Sequence, residues 1–254
     1  MKIALVTGAS SGMGRETVIQ LADRFGGLDE IWAVARRENR LEKLEEEIPV
    51  RLRKFALDVT DEAQLGILRQ ALEAERPQVR ILVNAAGYGK IGPVGSHCME
   101  EETGMVAVNC QALVAITHMA LPYMPDNSRI IQYASAAAFC PQPDFAVYAA
   151  TKAFVLSFSR ALGEELKGRN IAVTAVCPGP VKTEFFGIAE TKGKIPFYKY
   201  LAMARPEKVV RTALRDSFMG RPVSVYGLLM KAFHAVSRIC PPEIIFKIMN
   251  TARN

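Results

Sequence analysis

Tyr148 and Lys152 stand four residues apart in Tyr148-Ala149-Ala150-Thr151-Lys152, with Ser135 upstream. On a helix, residues four apart lie about 40° from each other around the axis, so the phenol and the ammonium project from one face. A phenol ordinarily ionises near pH 10, too high for ready proton exchange at neutral pH, and a cation within roughly 4 to 6 Å stabilises the phenolate. The pair therefore has the makings of a general acid/base. Ser135 follows the apolar run Ile130-Ile131-Gln132-Tyr133-Ala134, which reads as a buried strand. A strand end and a helix start hold a hydroxyl beside a phenol, both aimed at one substrate oxygen. The same spacing also describes an ordinary helix with a tyrosine and a surface lysine, so the surrounding elements have to decide.

Those elements alternate. Apolar runs at 3–6, 31–35, 52–57, 81–83, 130–134 and 171–176 read as strands. Between them lie helical patterns: Val18, Leu21, Ala22 and Phe25; the charged 40–47; Leu65, Leu68 and Leu72, capped by Thr60 or Asp61; an uncharged helix at about 105–121; and one at about 147–167. Such alternation predicts an α/β fold, a parallel sheet with helices on both faces. Beyond Pro178-Gly179-Pro180 the regularity breaks. Residues 183–206 hold Phe185, Phe186, Phe197, Tyr198 and Tyr200 among glycines and lysines, the composition of an apolar substrate flap. Pro206-Glu207 starts another helix and Val223-Ser224-Val225 suits a last strand. With no repeat and no linker, residues 1–254 read as one domain.

The first turn, Thr7-Gly8-Ala9-Ser10-Ser11-Gly12-Met13-Gly14, falls directly between a strand and a helix. Glycines at 8, 12 and 14 permit positive φ, close approach of backbone to a pyrophosphate and tight helix packing, while the helix N-terminus supplies partial positive charge. We therefore expect a dinucleotide over Gly8, Ser10, Ser11, Gly12, Met13 and Gly14. At the end of the second strand, where NAD-binding chains tend to carry an acid, Arg36-Arg37 follows Ala35, with Arg40 a turn later. An acid repels a 2′-phosphate and a guanidinium pairs with it, which predicts NADP over NAD. The alternative is that both arginines merely solvate a strand end. Asp58-Val59, after the third strand, is placed to meet the adenine, and Asn84-Ala85-Ala86-Gly87, after the fourth, lets the chain pass the cofactor.

In order and spacing these marks resemble the short-chain dehydrogenases/reductases, from about Lys2 to Val225: the glycine turn Thr7–Gly14, Asn84–Gly87, Asn109 on the long helix, Ser135, Tyr148-x-x-x-Lys152, and Pro178-Gly179 with Thr183. The resemblance implies a doubly wound Rossmann fold and an oxidoreductase that interconverts a secondary alcohol and a carbonyl. Tyr148 would exchange the proton, Ser135 would hold the substrate oxygen, and Lys152 would bind the nicotinamide ribose and depress the Tyr148 pKa. Asn109 would position a water that relays protons to Lys152. Pro178, Gly179, Val181 and Thr183 would contact the nicotinamide end. The aromatic flap favours a hydrophobic substrate such as a steroid or retinoid. A 3-oxoacyl-carrier-protein reductase and a dinucleotide-sensing protein without turnover are the alternatives. Members of this kind assemble as homodimers or homotetramers.

Composition narrows the rest. The 254 residues are half hydrophobic, with a formal charge of +6. From Arg221 onward five basic residues face a single acid, Glu243, so the tail carries much of that excess. The tail, about 226–254, is basic and apolar; a membrane surface, an apolar substrate, a second subunit and the domain itself are its possible resting places. No base-stacking motif or recognition helix accompanies the charge, so nucleic acid is not expected. Five scattered cysteines without a C-x-x-C pair fit reduced thiols, and the N-terminus enters a strand at once, which points to the cytoplasm. His97, His118 and His234 have no ligand spacing, and no metal is expected. The run from Thr103 to Pro125 lacks any Asp, Glu, Lys or Arg. Its Asn109, Gln111, His118 and two prolines favour a buried helix over a membrane span.

Overall fold

The structure is a computed structural model that describes residues 1–189, 203–241 and 243–244. Seven strands form one parallel sheet in the order β3-β2-β1-β4-β5-β6-β7. In chain order they are β1 (Lys2–Thr7), β2 (Glu30–Ala35), β3 (Arg51–Ala56), β4 (Gln78–Asn84), β5 (Arg129–Tyr133), β6 (Ala172–Val176) and the two-residue β7 (Val223–Ser224). Alternation along β1 shows how the sheet is covered. Ala4 and Val6 pack on one face with Val18 and Leu21 of α1 (Gly12–Arg24), Leu41 and Leu44 of α2 (Glu38–Glu47), and Val210 and Leu214 of the Pro206–Phe218 helix. Ile3 and Leu5 pack on the other with Leu68 and Leu72 of α3 (Glu62–Glu75), Ile116 and Ala120 of α5 (Leu113–Ala120), and Leu162 of α6 (Ala146–Glu165). Strands buried on both faces have to be apolar throughout, which is why they read as continuous runs.

The chain order reverses between β1 and β4, where Thr7 pairs with Asn84. Ligands of open parallel sheets bind in the crevice at such a reversal, outside the carboxyl ends of the strands. Here the crevice is flanked by the glycine turn after β1 and by Ala85–Gly87 after β4. The two are laced together, since the backbone N–H groups of Ala85 and Ala86 each donate to Thr7 Oγ1 at 3.2 Å. Close approach also explains the glycines: a Cβ on Gly8, at φ +69°, would lie 2.7 Å from the Ala85 carbonyl carbon, and one on Gly14 would lie 2.3 Å from Gly8 O.

One boundary differs from expectation. The long helix begins at Met99, with Glu100, Glu101 and Glu102 in its first turn. Apolar periodicity misses such a turn, yet acidic groups at a helix N-terminus oppose the positive end of its dipole. From α4 (Met99–Val106) it widens into a π-helical stretch over Ala107–Ala112 before resuming as α5. Its span, Met99–Tyr123, is long and apolar enough to cross a membrane, but Ala112, Ile116 and Ala120 lie in the core beneath the sheet. At α3 the open choice of cap resolves to Asp61, whose carboxylate accepts from Gln64 N.

Candidate active site

The cleft at the reversal point has a volume of about 260 Å³. Its floor is the glycine turn, with Gly8, Ser10, Ser11, Gly12, Met13 and Gly14 all lining it, and its far wall is Ala85, Ala86 and Gly87. Arg36, Arg37, Asp58 and Val59 close one end, and Thr183, Glu184 and Phe185 run along the facing side, Glu184 reaching Arg37 and Phe185 reaching Tyr148. Ser11, the N-cap of α1, makes no side-chain cap bond. The first-turn N–H groups of α1 are thus left for whatever enters the cleft, as a pyrophosphate site requires.

The arginines fall in unequal positions. Arg37 lies over the glycine turn, donating from Nη2 to Ser11 Oγ at 2.8 Å and from Nε to Ser10 Oγ at 3.3 Å. Its Nη1 pairs with Glu184 at 3.0 Å, and Arg40 pairs with the other oxygen of the same carboxylate. Arg36, though it borders the cleft, is 76% exposed, and among the described residues its ion pair is with Asp58 at 3.6 Å. Two guanidiniums thus hold the two oxygens of one carboxylate, the charge-assisted geometry in which arginines bind oxyanions. Glu184, Tyr88 and Val108 line the cleft without being assigned by spacing; the pairing of Glu184 with Arg40 joins positions 144 residues apart and has no local signal.

Ser135, Tyr148 and Lys152 come together behind Phe185; none of the three lines the cleft itself, and Phe185 is what joins them to it. Ser135 leaves β5 in an extended conformation and caps the short turn Ala136–Phe139 by accepting from Ala137 N at 3.1 Å. The Tyr148 ring, 7% exposed, stacks on Phe145 at 4.3 Å and is crossed by Phe185 at 5.3 Å. Phe185 therefore both lines the cleft and touches the phenol ring. Lys152 Nζ stands 5.6 Å from the centre of that ring and donates to Tyr133 O at 2.8 Å.

Here the electrostatics depart from expectation. Burial pushes the Tyr148 phenol up to about 12, against the opposing hydrogen bond with Ser135. Burial likewise brings the Lys152 ammonium down to about 8. The expected depression of Tyr148 by Lys152 is not seen: the one opposing influence is the hydrogen bond with Ser135, and burial, which penalises the charged form of each group, outweighs it. Cys177, next in line, is also pushed up to about 12 by burial, so it is no ready nucleophile.

Asn109 sits in the π-helical stretch, 1% exposed. Its Nδ2 donates to Tyr88 O and to Thr151 Oγ1, each at 3.0 Å, and its Oδ1 accepts from Tyr88 N at 3.1 Å. The carboxamide brackets the turn after β4 to α6, and both of its N–H donors are taken. π-Helical turns of this kind gather at functional sites. Gly87 lets the bracket close, since a Cβ there would lie 2.8 Å from Asn109 Oδ1 and 3.3 Å from Lys152 Nζ.

Asn84 turns elsewhere: its Nδ2 donates to Thr117 Oγ1 on α5 at 3.0 Å, and it does not line the cleft. The side chain ties the strand to a helix, and the wall starts one residue later. Pro178 accepts from Ala136 N at 2.8 Å, holding the Ser135 turn, while Val181 is buried and bridges to Ala204. The Leu228–Ser237 helix docks on this same end, with Met230 against Gly179 and with Phe233 and His234 on Phe139. Leu228, Leu229 and Val236 remain on its outer side. Phe197, Tyr198 and Tyr200 of the expected flap, and the end of the tail, lie outside the described residues.

Residues 2–192 match the protein family described as short chain dehydrogenase. The chain is 37% identical over 190 residues to sulfoacetaldehyde reductase 2 of Chromohalobacter salexigens, covering 72% of this chain and 74% of that one. Among solved structures it resembles a short-chain dehydrogenase of Sphingobium yanoikuyae in complex with NADPH, with a TM-score of 0.78 at 26% identity over 95% of this chain and 97% of the other. It also resembles a 3-ketoacyl-(acyl-carrier-protein) reductase of Brucella melitensis complexed with NADH, with a TM-score of 0.74 at 27% identity over 88% and 96% of the two chains.

Proposed function

Because this chain belongs to the short-chain dehydrogenase/reductase family, we propose that it moves hydride between NADP(H) and the carbinol carbon of a small hydrophobic alcohol or carbonyl. The observation that carries this reading is the grouping of Ser135, Tyr148 and Lys152 behind Phe185, a residue that lines the cleft. Bound NADP(H) supplies and accepts the hydride; the chain supplies orientation and the proton.

In the reductive direction negative charge develops on the substrate oxygen. Ser135 stabilises it by donating a hydrogen bond, and Tyr148 transfers its proton to it. A phenol held at about 12 is fully protonated at neutral pH, so the proton to be donated is in place, although burial makes the group a weaker acid than a free tyrosine. Oxidation needs the phenolate and is therefore favoured by alkaline conditions. Lys152 Nζ is a buried donor that reaches the cofactor's ribose in this reading. Asn109 acts as a positioning residue, fixing Gly87 and Tyr88 against α6. At the opposite end Arg37 and Arg40 take the 2′-phosphate.

Phe145 and Phe185 against Tyr148, and Met230 beside Gly179, make the surroundings of the proposed acid apolar, which supports a hydrophobic substrate. A second reading, reduction of 3-oxoacyl thioesters on an acidic carrier protein, is favoured by the likeness to the Brucella reductase and by the net charge of +6. Val106, Val114 and Phe154, exposed on α4, α5 and α6, suit contact with a second copy of the chain. Five unpaired thiols suit a reducing compartment.

A panel of ketones, aldehydes, sulfonated aldehydes and acetoacetyl thioesters, followed by NADPH absorbance beside Tyr148→Phe, tests the reading. Turnover should fall by roughly 10²- to 10⁴-fold in the variant, with NADPH binding retained. Equal turnover would reject Tyr148 as the acid.

A further inference from the structure

The Arg37 and Arg40 seat is already filled by a group of the chain itself. Glu184 places one carboxylate oxygen on Arg37 at 3.0 Å and the other on Arg40. Among the described residues it is the sole carboxylate paired with either guanidinium, and the pairing keeps its carboxyl below the usual range, chiefly through the hydrogen bond from Arg40. It lines the same cleft as the glycine turn, one residue after Thr183 and one before Phe185. Arg37 is at the same time fixed to Ser10 and Ser11 of that turn, so its guanidinium cannot swing away to serve a second anion elsewhere.

We propose that Glu184 is a built-in competitor for the adenosine 2′-phosphate and so sets the selectivity between NADPH and NADH. This rests on the reading of Arg37 and Arg40 as the 2′-phosphate seat. A phosphate and a carboxylate cannot share two guanidiniums at hydrogen-bond distance without repelling each other, so a 2′-phosphorylated cofactor binds by taking the place of the Glu184 carboxylate. A cofactor without that phosphate leaves the Glu184 pairs intact. The chain thereby tempers a preference for NADPH that its arginines would otherwise make steeper.

Glu184→Gln keeps the shape and removes the charge, and Glu184 is half exposed, so folding is not at stake. Titration calorimetry on the full chain with NADPH, NADH, adenosine 2′,5′-bisphosphate and 5′-AMP reads the outcome without turnover. The variant should bind NADPH and the bisphosphate about tenfold more tightly, with NADH and AMP changed by less than about twofold. Weaker binding of the 2′-phosphorylated pair, as for a prop that holds the arginines in place, would overturn the proposal, and so would an equal change for all four ligands. Arg37→Ala separates the two layers. Suppose the wild type prefers the bisphosphate to AMP and Arg37→Ala abolishes that preference, while Glu184→Gln changes nothing; then the competitor falls and the seat stands. If the wild type shows no such preference, the seat and the competitor fall together.

Discussion

The two ends of the site are built on opposite principles. At the adenosine end, Arg37, Arg40 and Glu184 are 38–45% exposed at their side chains and hold one another by charge. At the catalytic end Tyr148 and Lys152 are 7% and 6% exposed, and their ionisation is set by burial. A half-exposed charge cluster is rearranged more cheaply than a buried one, so substitutions there shift affinity and leave the chemistry in place. A buried group cannot be rearranged cheaply, and its removal changes the chemistry itself. Recognition is therefore adjustable at the open end, while the proposed proton transfer is fixed at the closed one.

Lys152→Met tests the closed end hardest. Turnover should fall by roughly 10²- to 10⁴-fold, as for loss of a group that orients the reacting partners. Stability should move the other way. The ammonium has a folded pKa of about 8 against 10.5 in the unfolded chain, so burial disfavours its charged form. The unfolded state binds more protons between those values, and this group's destabilising contribution is complete below pH 8 and relieved as pH rises towards 10.5. At pH 7 the methionine variant should be about 1–3 kcal/mol more stable than the wild type. The difference should shrink on approaching pH 10.5. Chemical denaturation of both proteins at several pH values isolates Lys152 from the phenols and thiols that titrate alongside it. A variant less stable than the wild type at pH 7 would mean that the hydrogen bond to Tyr133 O outweighs desolvation.

This contrast also explains what could be read without coordinates. The sheet was legible because strands such as Ile31–Ala35 are buried on both faces, and Gly8 and Gly14 were legible because no other residue fits their contacts. Tyr148 and Lys152 share a face by helix geometry alone. What spacing could not give was the size of the desolvation, which depends on Phe145 and Phe185 closing over the ring, and hence the sign of the Tyr148 shift. Nor could it rank Arg36 against Arg37. Adjacent residues at a strand end point apart, and only the fold decides which one meets the glycine turn. Glu184 was invisible for a related reason, since its partners arrive from the far end of the sequence.

Asn109→Ala probes the join between the two ends. Removing the carboxamide leaves Tyr88 N–H, Tyr88 C=O and Thr151 without their partner. Unpaired buried backbone groups cost about 1–3 kcal/mol, so the denaturation midpoint should drop accordingly. Asn109→Asp restores the acceptor but not the donors, and should recover less than half of the loss. Should the alanine variant keep its stability while losing turnover, the side chain would be acting on the reaction and not as a bracket for the loop.

The smallest effect is expected from Arg36, although it stands beside Arg37 and carries the same charge. Its side chain is 76% exposed, and the partner of its ion pair, Asp58, lies 3.6 Å away. An exposed pair of this kind is worth about 0–1 kcal/mol, so Arg36→Ala should raise the NADPH dissociation constant by less than about fivefold. Arg37→Ala should raise it by tenfold or more, because it removes a guanidinium bonded to Ser10, Ser11 and the anion seat at once. Raising the salt concentration sharpens the comparison. Screening acts first on the exposed charge, so the Arg36 effect should vanish in high salt while most of the Arg37 effect persists. Equal losses from the two substitutions at low and high salt would mean that the 2′-phosphate is held by the net charge of the strand end, and the distinction between an adjustable surface and a seated guanidinium would collapse.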